Sequence, residues 1–241
     1  MTFITQYKKV AASKLPMQCY MDEPARRLSG EIEYRADQED ALGHLFRLRT
    51  HIYSRLNPEK ANIHVTLSSP ARVTLAVSDP GPSFRIGENS SGEWHVVYFK
   101  DADVVIGDGT TSNGVKVMAW AGKLHIGSDC MFSDTITIHL GDNHGVIDTK
   151  TGKIINGETP EVVISDHVWC GAGARILKGV RIGKGSIIAA GAVVPGKVFP
   201  ECCVIAGNPA QIKRTDTSWT RSAVGSEWPN VKSRFDLPGH P

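Results

Sequence analysis

The chain has 241 residues, of which 41% are hydrophobic and 22% are charged, and its formal net charge at pH 7 is +2. This composition is ordinary for a globular protein, and the small charge argues against nucleic-acid binding or attachment to a membrane through a basic segment. No stretch approaches the about 18 apolar residues of a transmembrane helix, and residues 1–16 lack the apolar centre of a secretory signal. We therefore expect a cytoplasmic protein in which the five cysteines are free thiols.

The N-terminal segment, residues 1–62, contains one periodic stretch. Residues 1–36 have no clear period, whereas residues 37–56 predict an amphipathic helix that begins at Asp37 and ends before Asn57-Pro58. Its apolar side consists of Leu42, Leu45, Phe46, Leu48, Ile52 and Leu56. We expect this helix to cover an open end of the fold and to protect strand edges there. The alternative is a helix that binds a partner.

Residues 63–99 predict short strands separated by turns, such as the turn at Asp79-Pro80-Gly81-Pro82. They are predicted to form either atypical early coils of a repeat or a small sheet that leads into it. A regular frame becomes visible at Ile106-Gly107 and again at Ile126-Gly127. The polar segment 141–160 then interrupts the frame and predicts a loop that protrudes from a rigid scaffold, where functional residues often lie.

Between residues 162 and 198 large side chains recur at every sixth position: Ile164, Cys170, Ile176, Ile182, Ile188 and Val194. Four positions after each lies a small or β-branched residue: Val168, Ala174, Val180, Ser186, Ala192 and Val198. A period of six belongs to neither a helix nor a flat strand. It predicts a chain that turns a corner every six residues, with three sides making one coil of a parallel β-helix. Because Cys170 occupies an inward position of this frame, we expect a core side chain rather than a nucleophile.

The frame is lost at Phe199-Pro200-Glu201 and resumes at VIAGNPA. We therefore predict a β-helix domain over residues 63–214. The polar tail, residues 215–241, is expected to wrap this column or to be partly loose.

The motifs VWCGAGARILKGV, IGKGSIIAAGAVV and AGNPAQIKR resemble the hexapeptide-repeat acetyltransferases of the sugar and capsular-polysaccharide O-acetyltransferase type, and the resemblance covers residues 104–221. It implies an all-β solenoid, namely a left-handed parallel β-helix with an N-terminal helical or irregular segment and an extended catalytic loop. It also implies an enzyme that transfers acetyl from acetyl-CoA to a hydroxyl of a sugar or polysaccharide. The family is typically a homotrimer with active sites between subunits.

By this resemblance His144, in DNHG, matches the catalytic histidine that acts as general base on the acceptor hydroxyl. Many relatives have His-Pro where this chain has His-Gly, which leaves the path of the loop open. Asp142 and Asn143 are expected to bind the acceptor, and Asp142 could either orient the ring or form an Asx-turn. Trp169 matches an active-site tryptophan and should point outward because the next residue points inward. His167, also expected to point outward, is a weaker candidate.

The donor implied by the resemblance is acetyl-CoA. The matching positions for its pantetheine arm are Ala172, Ala190, Pro195 and Gly196, where small side chains leave corner backbone accessible. Arg214 matches the second of two basic residues at the CoA phosphates. The first is replaced by Gln211, so Lys213 is the candidate substitute for it.

Three alternatives remain at this point. The acceptor could be an amino sugar, an antibiotic or a small metabolite, which would make the chain an N-acetyltransferase or a xenobiotic acetyltransferase. A non-catalytic scaffold would keep the β-helix and would not bind acetyl-CoA. Carbonic-anhydrase-like hexapeptide proteins hold zinc with histidines from two subunits, but His125 and His139 are expected to be structural, and no metal is expected because the ligand spacing is absent.

Overall fold

The computed structural model describes residues 6–22, 24–50, 62–77, 82–157, 161–222 and 228–238. The chain forms a parallel β-solenoid of about six turns, and the predicted fold class, a left-handed parallel β-helix, is confirmed. Across the described ranges, no helix has both the length and the apolar character needed to cross a membrane.

Most strands before the 162–198 repeat are longer than those within it. They are β1 (Tyr7–Ala11), β2 (Ser29–Arg35), β3 (Phe46–Thr50), β4 (Asn62–Leu67), β5 (Arg72–Val77), β6 (Ser83–Ile86), β7 (Ser91–Tyr98), β8 (Ala102–Ile106), β9 (Thr111–Ala119), β10 (Gly122–Ile126), β11 (Met131–Phe132) and β12 (Ile136–His139). The later strands are β13 (Val162–Ile164), β14 (Trp169–Cys170), β15 (Arg175–Ile176), β16 (Arg181–Ile182), β17 (Ile187–Ile188), β18 (Val193–Val194), β19 (Val198–Phe199), β20 (Val204–Gly207) and β21 (Ala210–Arg214).

Within the described residues the helices are few and short. Two are α-helices, α1 (Leu42–Leu45) and α2 (Trp228–Phe235), and the 3₁₀ turns are Ala12–Lys14, Met17–Cys19, Pro24–Arg27 and Ala36–Gln38.

Three walls enclose the core. Wall 1 is the parallel series β2, β4, β6, β8, β10, β13, β16 and β19. Wall 2 contains β11, β14, β17 and β20, and wall 3 contains β3, β5, β7, β9, β12, β15 and β18. β9 turns from one wall to the next, since Thr111 pairs with β11 on wall 2 and Val115 pairs with β12 on wall 3. We refer below to the three edges of this prism as the 1–2, 2–3 and 3–1 corners.

The predicted inward ladder is confirmed. Each of its side chains is at most 1% exposed, and Ile164 pairs with Ile182, Cys170 with Ile188, and Ile176 with Val194 in the next coil. Complete burial of one such aliphatic side chain stabilises a fold by roughly 1.5–3 kcal/mol. Burial also raises the pKa of the Cys170 thiol well above its ordinary value, which agrees with a core role. All five cysteines are free.

The 1–2 corner is a stack of residues in the left-handed conformation: Asn89, Gly109, Asp129, His167, Gly185 and Cys202. The backbone N–H of each coil here donates to the coil before it, as in Gly185 to Asp166 and Cys202 to Lys184. Glycine adopts this conformation without strain, whereas a histidine does so at a cost. His167, at φ 53°, is therefore unusual in this position.

The six-residue frame is lost at Phe199 as predicted, although the strand there still continues wall 1. Phe199 pairs with Ile182 on wall 1 and is 4% exposed, while Val198, which was predicted to hold a frame position, is 76% exposed. The last coil is one residue shorter than the six-residue frame requires, so the adjacent residue takes the inward place. A one-residue slip reverses which side chains point inward.

The predicted helix over residues 37–56 is wrong for its described part, residues 37–50. The α-helix is limited to Leu42–Leu45, and Phe46–Thr50 forms a strand that pairs in parallel with β5. Phe46 and Leu48 are fully buried while Arg47 between them is not, which is the two-residue alternation of a strand. The apolar residues that suggested a helical stripe thus serve a strand, and residues 51–56 lie outside the described part of the chain.

Of the two predictions for residues 63–99, atypical early coils are confirmed, because β4 to β7 lie in the same walls as the later strands. The column begins before residue 63, since β2 pairs in parallel with β4. The irregular N-terminal segment adds buried side chains to the same core, including Ala12, Cys19 and Leu28. The proposed division into residues 1–62, 63–214 and 215–241 stays a prediction.

Candidate functional site

His144 lies in the segment 141–157, which we call the 141–157 loop, between β12 on wall 3 and β13 on wall 1. The loop therefore leaves the column at the 3–1 corner. The His144 side chain is exposed, and an exposed imidazole on a loop is free to meet a substrate or a second chain.

The base of the loop is held by a hydrogen-bonded group around Asn156. The Asn156 side chain donates to the Asp142 carboxylate and to the His144 carbonyl, both at 2.8 Å, and accepts from the Val146 N–H at 2.7 Å. Lys178 on the column donates to the Asn156 carbonyl at 2.9 Å and lies 2.9 Å from Asp142. His144 is therefore presented on backbone that is fixed from both sides.

Neither Asn156 nor Lys178 was found from the sequence. Hydrogen bonds from Lys178 and then Asn156 keep the pKa of Asp142 below its usual value, so this exposed carboxylate is ionised and contributes to the loop base. Of the two roles predicted for Asp142, orienting the imidazole of His144 and forming an Asx-turn, neither is what these contacts describe. The sequence signal for a loop anchor was weak, because the partners come from residues far apart in the chain.

The outer part of the 141–157 loop is a hairpin with apolar side chains facing outward. Ile147 and Ile154 form an antiparallel bridge, and the Ile155 N–H donates to Val146. The exposed fractions of Val146, Ile147, Ile154 and Ile155 are 52%, 59%, 61% and 65%. An exposed apolar patch of this kind is typical of a surface that contacts a partner or a ligand.

Trp169 lies in β14 on wall 2, across the prism from the 3–1 corner. Its side chain points outward as predicted and is half-buried, with its ring centroid 6.3 Å from that of Trp219 in the tail. Among the described residues, the buried indole Nε1 of Trp169 has no hydrogen-bond partner. His144 and Trp169 are thus on opposite sides of one chain.

The residues predicted to bind acetyl-CoA are likewise divided between two separate corners of the column. Ala172 and Ala190 are exposed at the 2–3 corner, one coil apart, where the Gly191 N–H donates to the Ala172 carbonyl. Pro195 and Gly196 lie at the 3–1 corner, where a Cβ at Gly196 would come within 2.5 Å of the Lys178 carbonyl. One group therefore lies under the 141–157 loop and the other lies beside Trp169.

The basic residues proposed for the CoA phosphates lie at the end of the column. Lys213 and Arg214 are exposed on β21, which runs antiparallel to β20, and Gln211 is exposed beside them. A cleft of about 510 Å³ borders Arg214 and extends to Trp228 and Lys232 of α2.

His167 is not an outward-facing candidate as predicted; it is 1% exposed. Its Nδ1 lies 2.8 Å from the Asp129 carboxylate and its Nε2 lies 2.9 Å from the Trp219 carbonyl. Its ring stacks on those of Trp219 and Phe235, at centroid distances of 4.3 and 4.8 Å. Each ring nitrogen therefore lies within hydrogen-bond distance of an oxygen atom of another segment.

The tail is held along the 1–2 corner by these contacts, which confirms wrapping for residues 215–222. Arg221 donates to Asp129 at 3.0 Å and to the carbonyls of Gly109 and Cys130. Burial tends to raise the pKa of Asp129, but hydrogen bonds from His167 and Arg221 outweigh this and lower it below its usual value. His167 is therefore a structural residue that fixes the tail.

Metal binding found no support in the described residues, where no group of three or more His, Cys, Asp or Glu side chains could hold an ion. His125 is exposed on wall 1 and His139 lies on wall 3, so the two predicted structural histidines are on different sides of the column.

Residues 161–196 match the family described as bacterial transferase hexapeptide (six repeats). This match confirms the resemblance of the repeat to the hexapeptide-repeat acetyltransferases.

Curated relatives with a similar sequence include a polysialic acid O-acetyltransferase of Escherichia coli O1:K1 / APEC, 36% identical over 57% of this chain and 45% of the relative. A galactoside O-acetyltransferase of Lactococcus lactis subsp. lactis (strain IL1403) is 34% identical over 48% of this chain and 55% of the relative. The chain therefore spans about half the length of these relatives. The solved structure of the polySia-specific acetyltransferase NeuO matches 80% of this chain and 88% of its own, at 26% identity and a TM-score of 0.67.

Proposed function

We propose that this protein transfers acetyl from acetyl-CoA to a hydroxyl of a sugar or polysaccharide, with His144 as general base. The proposal rests on the similarity to O-acetyltransferases of polysialic acid and of galactosides. The observation that carries it is the exposed His144 on a loop whose base is held by hydrogen bonds from Asn156 and Lys178. This loop leaves the column at the 3–1 corner. A scaffold has no need of a histidine held in this way.

The active site is formed between two copies of the chain in a homotrimer. One group of proposed site residues, His144, Asp142, Asn143, Pro195 and Gly196, lies at the 3–1 corner. The other group, Trp169, Ala172 and Ala190, lies on wall 2 and at the 2–3 corner. A cyclic arrangement places the first group of each copy against the second group of the next. The apolar hairpin of the 141–157 loop would then be covered by the neighbouring copy.

The proposed reaction is a direct acyl transfer in which each of these residues has one role. The acceptor oxygen attacks the thioester carbonyl carbon, His144 accepts the hydroxyl proton, and the carbon–sulfur bond breaks to release CoA as the thiol. A backbone N–H is the usual donor to the oxyanion formed on the way. Trp169 offers a flat apolar surface against which donor or acceptor packs. Asp142 and Asn143 place polar groups beside the acceptor.

The 2–3 corner fits the pantetheine arm of acetyl-CoA. Ala172 and Ala190 are exposed, and a Cβ added at Gly191 would meet nothing within 4 Å. An extended amide-bearing chain can therefore lie along this corner without steric obstruction. Lys213 and Arg214 supply positive charge for the phosphates.

Complementation between two inactive variants tests both the residues and the assembly. His144→Ala and Trp169→Ala are each expected to lose at least about tenfold in activity, measured as free thiol released from acetyl-CoA with a panel of sugar acceptors. Co-expression of the two variants in equal amounts should restore about one quarter of wild-type activity, because one site in four then takes His144 and Trp169 from the competent copies.

Absence of restored activity, with trimers present by light scattering, would place both residues in one subunit and contradict the proposed assembly. Calorimetry with acetyl-CoA separates the enzyme from the scaffold, since a scaffold gives no heat of binding. Preference for an amine acceptor in the same panel would favour N-acetylation instead.

A further inference from the structure

Trp169 belongs to a row of outward apolar side chains on wall 2. The residues at the paired positions in the coils before and after it are Met131 and Ile187, and each strand is about 4.8 Å from the next. All three side chains are half-buried. This row restricts movement of the Trp169 ring along the column but does not restrict it across the width of wall 2.

Within the described residues, the indole of Trp169 has no hydrogen bond that would fix its orientation. Its Nε1 is buried and unpaired there, whereas a buried indole N–H usually finds an acceptor. The orientation of the ring therefore depends on the side chains that pack beside it.

Trp219 of the tail is such a neighbour. Its ring centroid lies 6.3 Å from that of Trp169, with the two planes 49° apart, which is within the range of favourable aromatic pairs. Because Trp219 stacks on His167 at the 1–2 corner, it limits the Trp169 ring on that side of wall 2.

Trp219 is itself held firmly, and it is 5% exposed. Its ring is nearly parallel to that of His167, at a centroid distance of 4.3 Å, and its Nε1 donates to the His167 carbonyl at 2.8 Å. The guanidinium of Arg221 lies 5.6 Å from the centre of the Trp219 ring, in the range of a cation–π contact. A ring fixed in this way can define the position of a neighbour that has no hydrogen bond of its own.

The other side of Trp169 leads to the proposed donor site. After Trp169 the chain continues through Cys170 and Gly171 to Ala172, which is exposed at the 2–3 corner. A Trp169 ring that is restricted at the 1–2 corner therefore offers its remaining surface toward the corner at which the pantetheine arm is proposed to lie.

We propose that Trp219 is a positioning residue for Trp169: the tail fixes Trp219 at the 1–2 corner, and Trp219 holds the Trp169 indole in the orientation that acyl transfer requires. The proposal rests on the function argued above, which places Trp169 in the active site. It adds that the C-terminal tail supports the active site through one aromatic contact, while Trp219 itself touches neither donor nor acceptor.

A double-mutant cycle tests whether Trp219 acts through Trp169. Trp219→Ala is expected to lower kcat/KM by about fivefold or more in the wild-type background, because the Trp169 ring is no longer held in place. In the Trp169→Ala background the same change should lower kcat/KM by less than about twofold, because the residue that it positions is already absent. The measurement is thiol release from acetyl-CoA, at a temperature at which circular dichroism shows every variant folded.

Phe235→Ala is the matched control for general damage to the tail. Phe235 also stacks on His167, at 4.8 Å, but among the described residues it makes no ring contact with Trp169. Both alanine variants should lower the thermal midpoint, because each removes a ring stacked on His167. Phe235→Ala should nevertheless keep kcat/KM within about twofold of wild type, and Trp219→Phe should do the same because it retains an aromatic ring beside Trp169.

Fluorine NMR of protein labelled with 5-fluorotryptophan observes the position of Trp169 without any turnover. The chain has five tryptophans, and the Trp169 resonance is assigned by its absence from the spectrum of Trp169→Phe. This resonance should shift or broaden in Trp219→Ala and stay in place in Phe235→Ala. An unmoved resonance in Trp219→Ala, an equal loss of kcat/KM in both backgrounds of the cycle, or an equal loss in Phe235→Ala would each overturn the proposal.

The failures of the two proposals are distinguishable. If wild type is active and Trp219→Ala costs the same with or without Trp169, the positioning role fails and the acetyltransferase stands. If the Trp169 resonance moves in Trp219→Ala alone but wild type releases no thiol with any acceptor, the contact between the two rings stands and the enzymatic function fails.

Discussion

The 141–157 loop and the 1–2 corner each carry a histidine, and the surroundings of the two are opposite. His144 is exposed, and the hydrogen bonds around it involve its backbone and its neighbours rather than its ring. His167 is 1% exposed, with partners at both nitrogens and aromatic rings stacked on it. The first is arranged to meet something outside the chain, and the second is already fully occupied within it.

This difference shows that outward position on a β-helix does not by itself predict function. The sequence made both histidines candidates for the site, His144 in a protruding polar loop and His167 at an outward position of the β-helix. What separates them is whether another part of the chain returns to cover the ring. Activity should therefore depend on His144, and stability should depend on His167.

The largest effect is expected for His144→Ala. Loss of the proposed base should lower kcat by about 10²- to 10⁴-fold, while the thermal midpoint stays within about 2 °C because an exposed side chain contributes little to stability. The measurement is thiol release under saturating acetyl-CoA, with acetyl-CoA affinity as the control. Full turnover in this variant would show that His144 is not the base.

His167→Ala should reverse this pattern. The change removes two buried hydrogen bonds and a stacked ring and leaves a left-handed alanine, so unfolding free energy should fall by about 2–4 kcal/mol. Urea unfolding followed by fluorescence measures the loss, and the tail should become sensitive to protease.

His167→Gly is the matched control, because glycine adopts the same conformation without strain. It should be about 1 kcal/mol more stable than His167→Ala. If neither variant is destabilised, the corner does not hold the tail in the way described.

Asn156→Ala tests whether the loop base positions His144. The Asp142, His144 and Val146 contacts would be lost, and kcat should fall by about tenfold or more with little change in the KM for acetyl-CoA, since only the position of the base is disturbed. Lys150→Ala, at the exposed tip of the same loop, should leave kcat unaltered. A drop in both variants would indicate general damage to the loop.

The smallest effect is a pH dependence at Asp129. Its pKa is lower in the folded protein than in the unfolded chain, so its stabilising contribution is present above the unfolded value of about 3.9 and is lost as pH falls below it. Asp129→Asn should cost about 1 kcal/mol at pH 7 and should flatten the acid side of the stability profile. Parallel profiles for the variant and wild type would contradict this role.

The prediction from sequence was most successful between residues 162 and 198. There every inward position must be apolar whatever its neighbours are, so the spacing of Ile164, Ile176 and Ile188 was enough to predict a ladder. The six-residue spacing ends at Phe199, as predicted, because one missing residue moves the adjacent side chain inward. The prediction failed at Phe46–Thr50, where the helical and the strand periods cannot be distinguished over so few residues.

Local spacing thus predicted the column and the exposed loop with His144, since both depend on short-range patterns of apolar and polar residues. Contacts between distant segments decided the rest. His167 meets Trp219 across 52 residues of chain, and Asn156 is joined to Lys178 of a later coil. The coiling of the chain also placed Met131, Trp169 and Ile187 in one row, because residues that are far apart in sequence become neighbours only when successive coils stack in register.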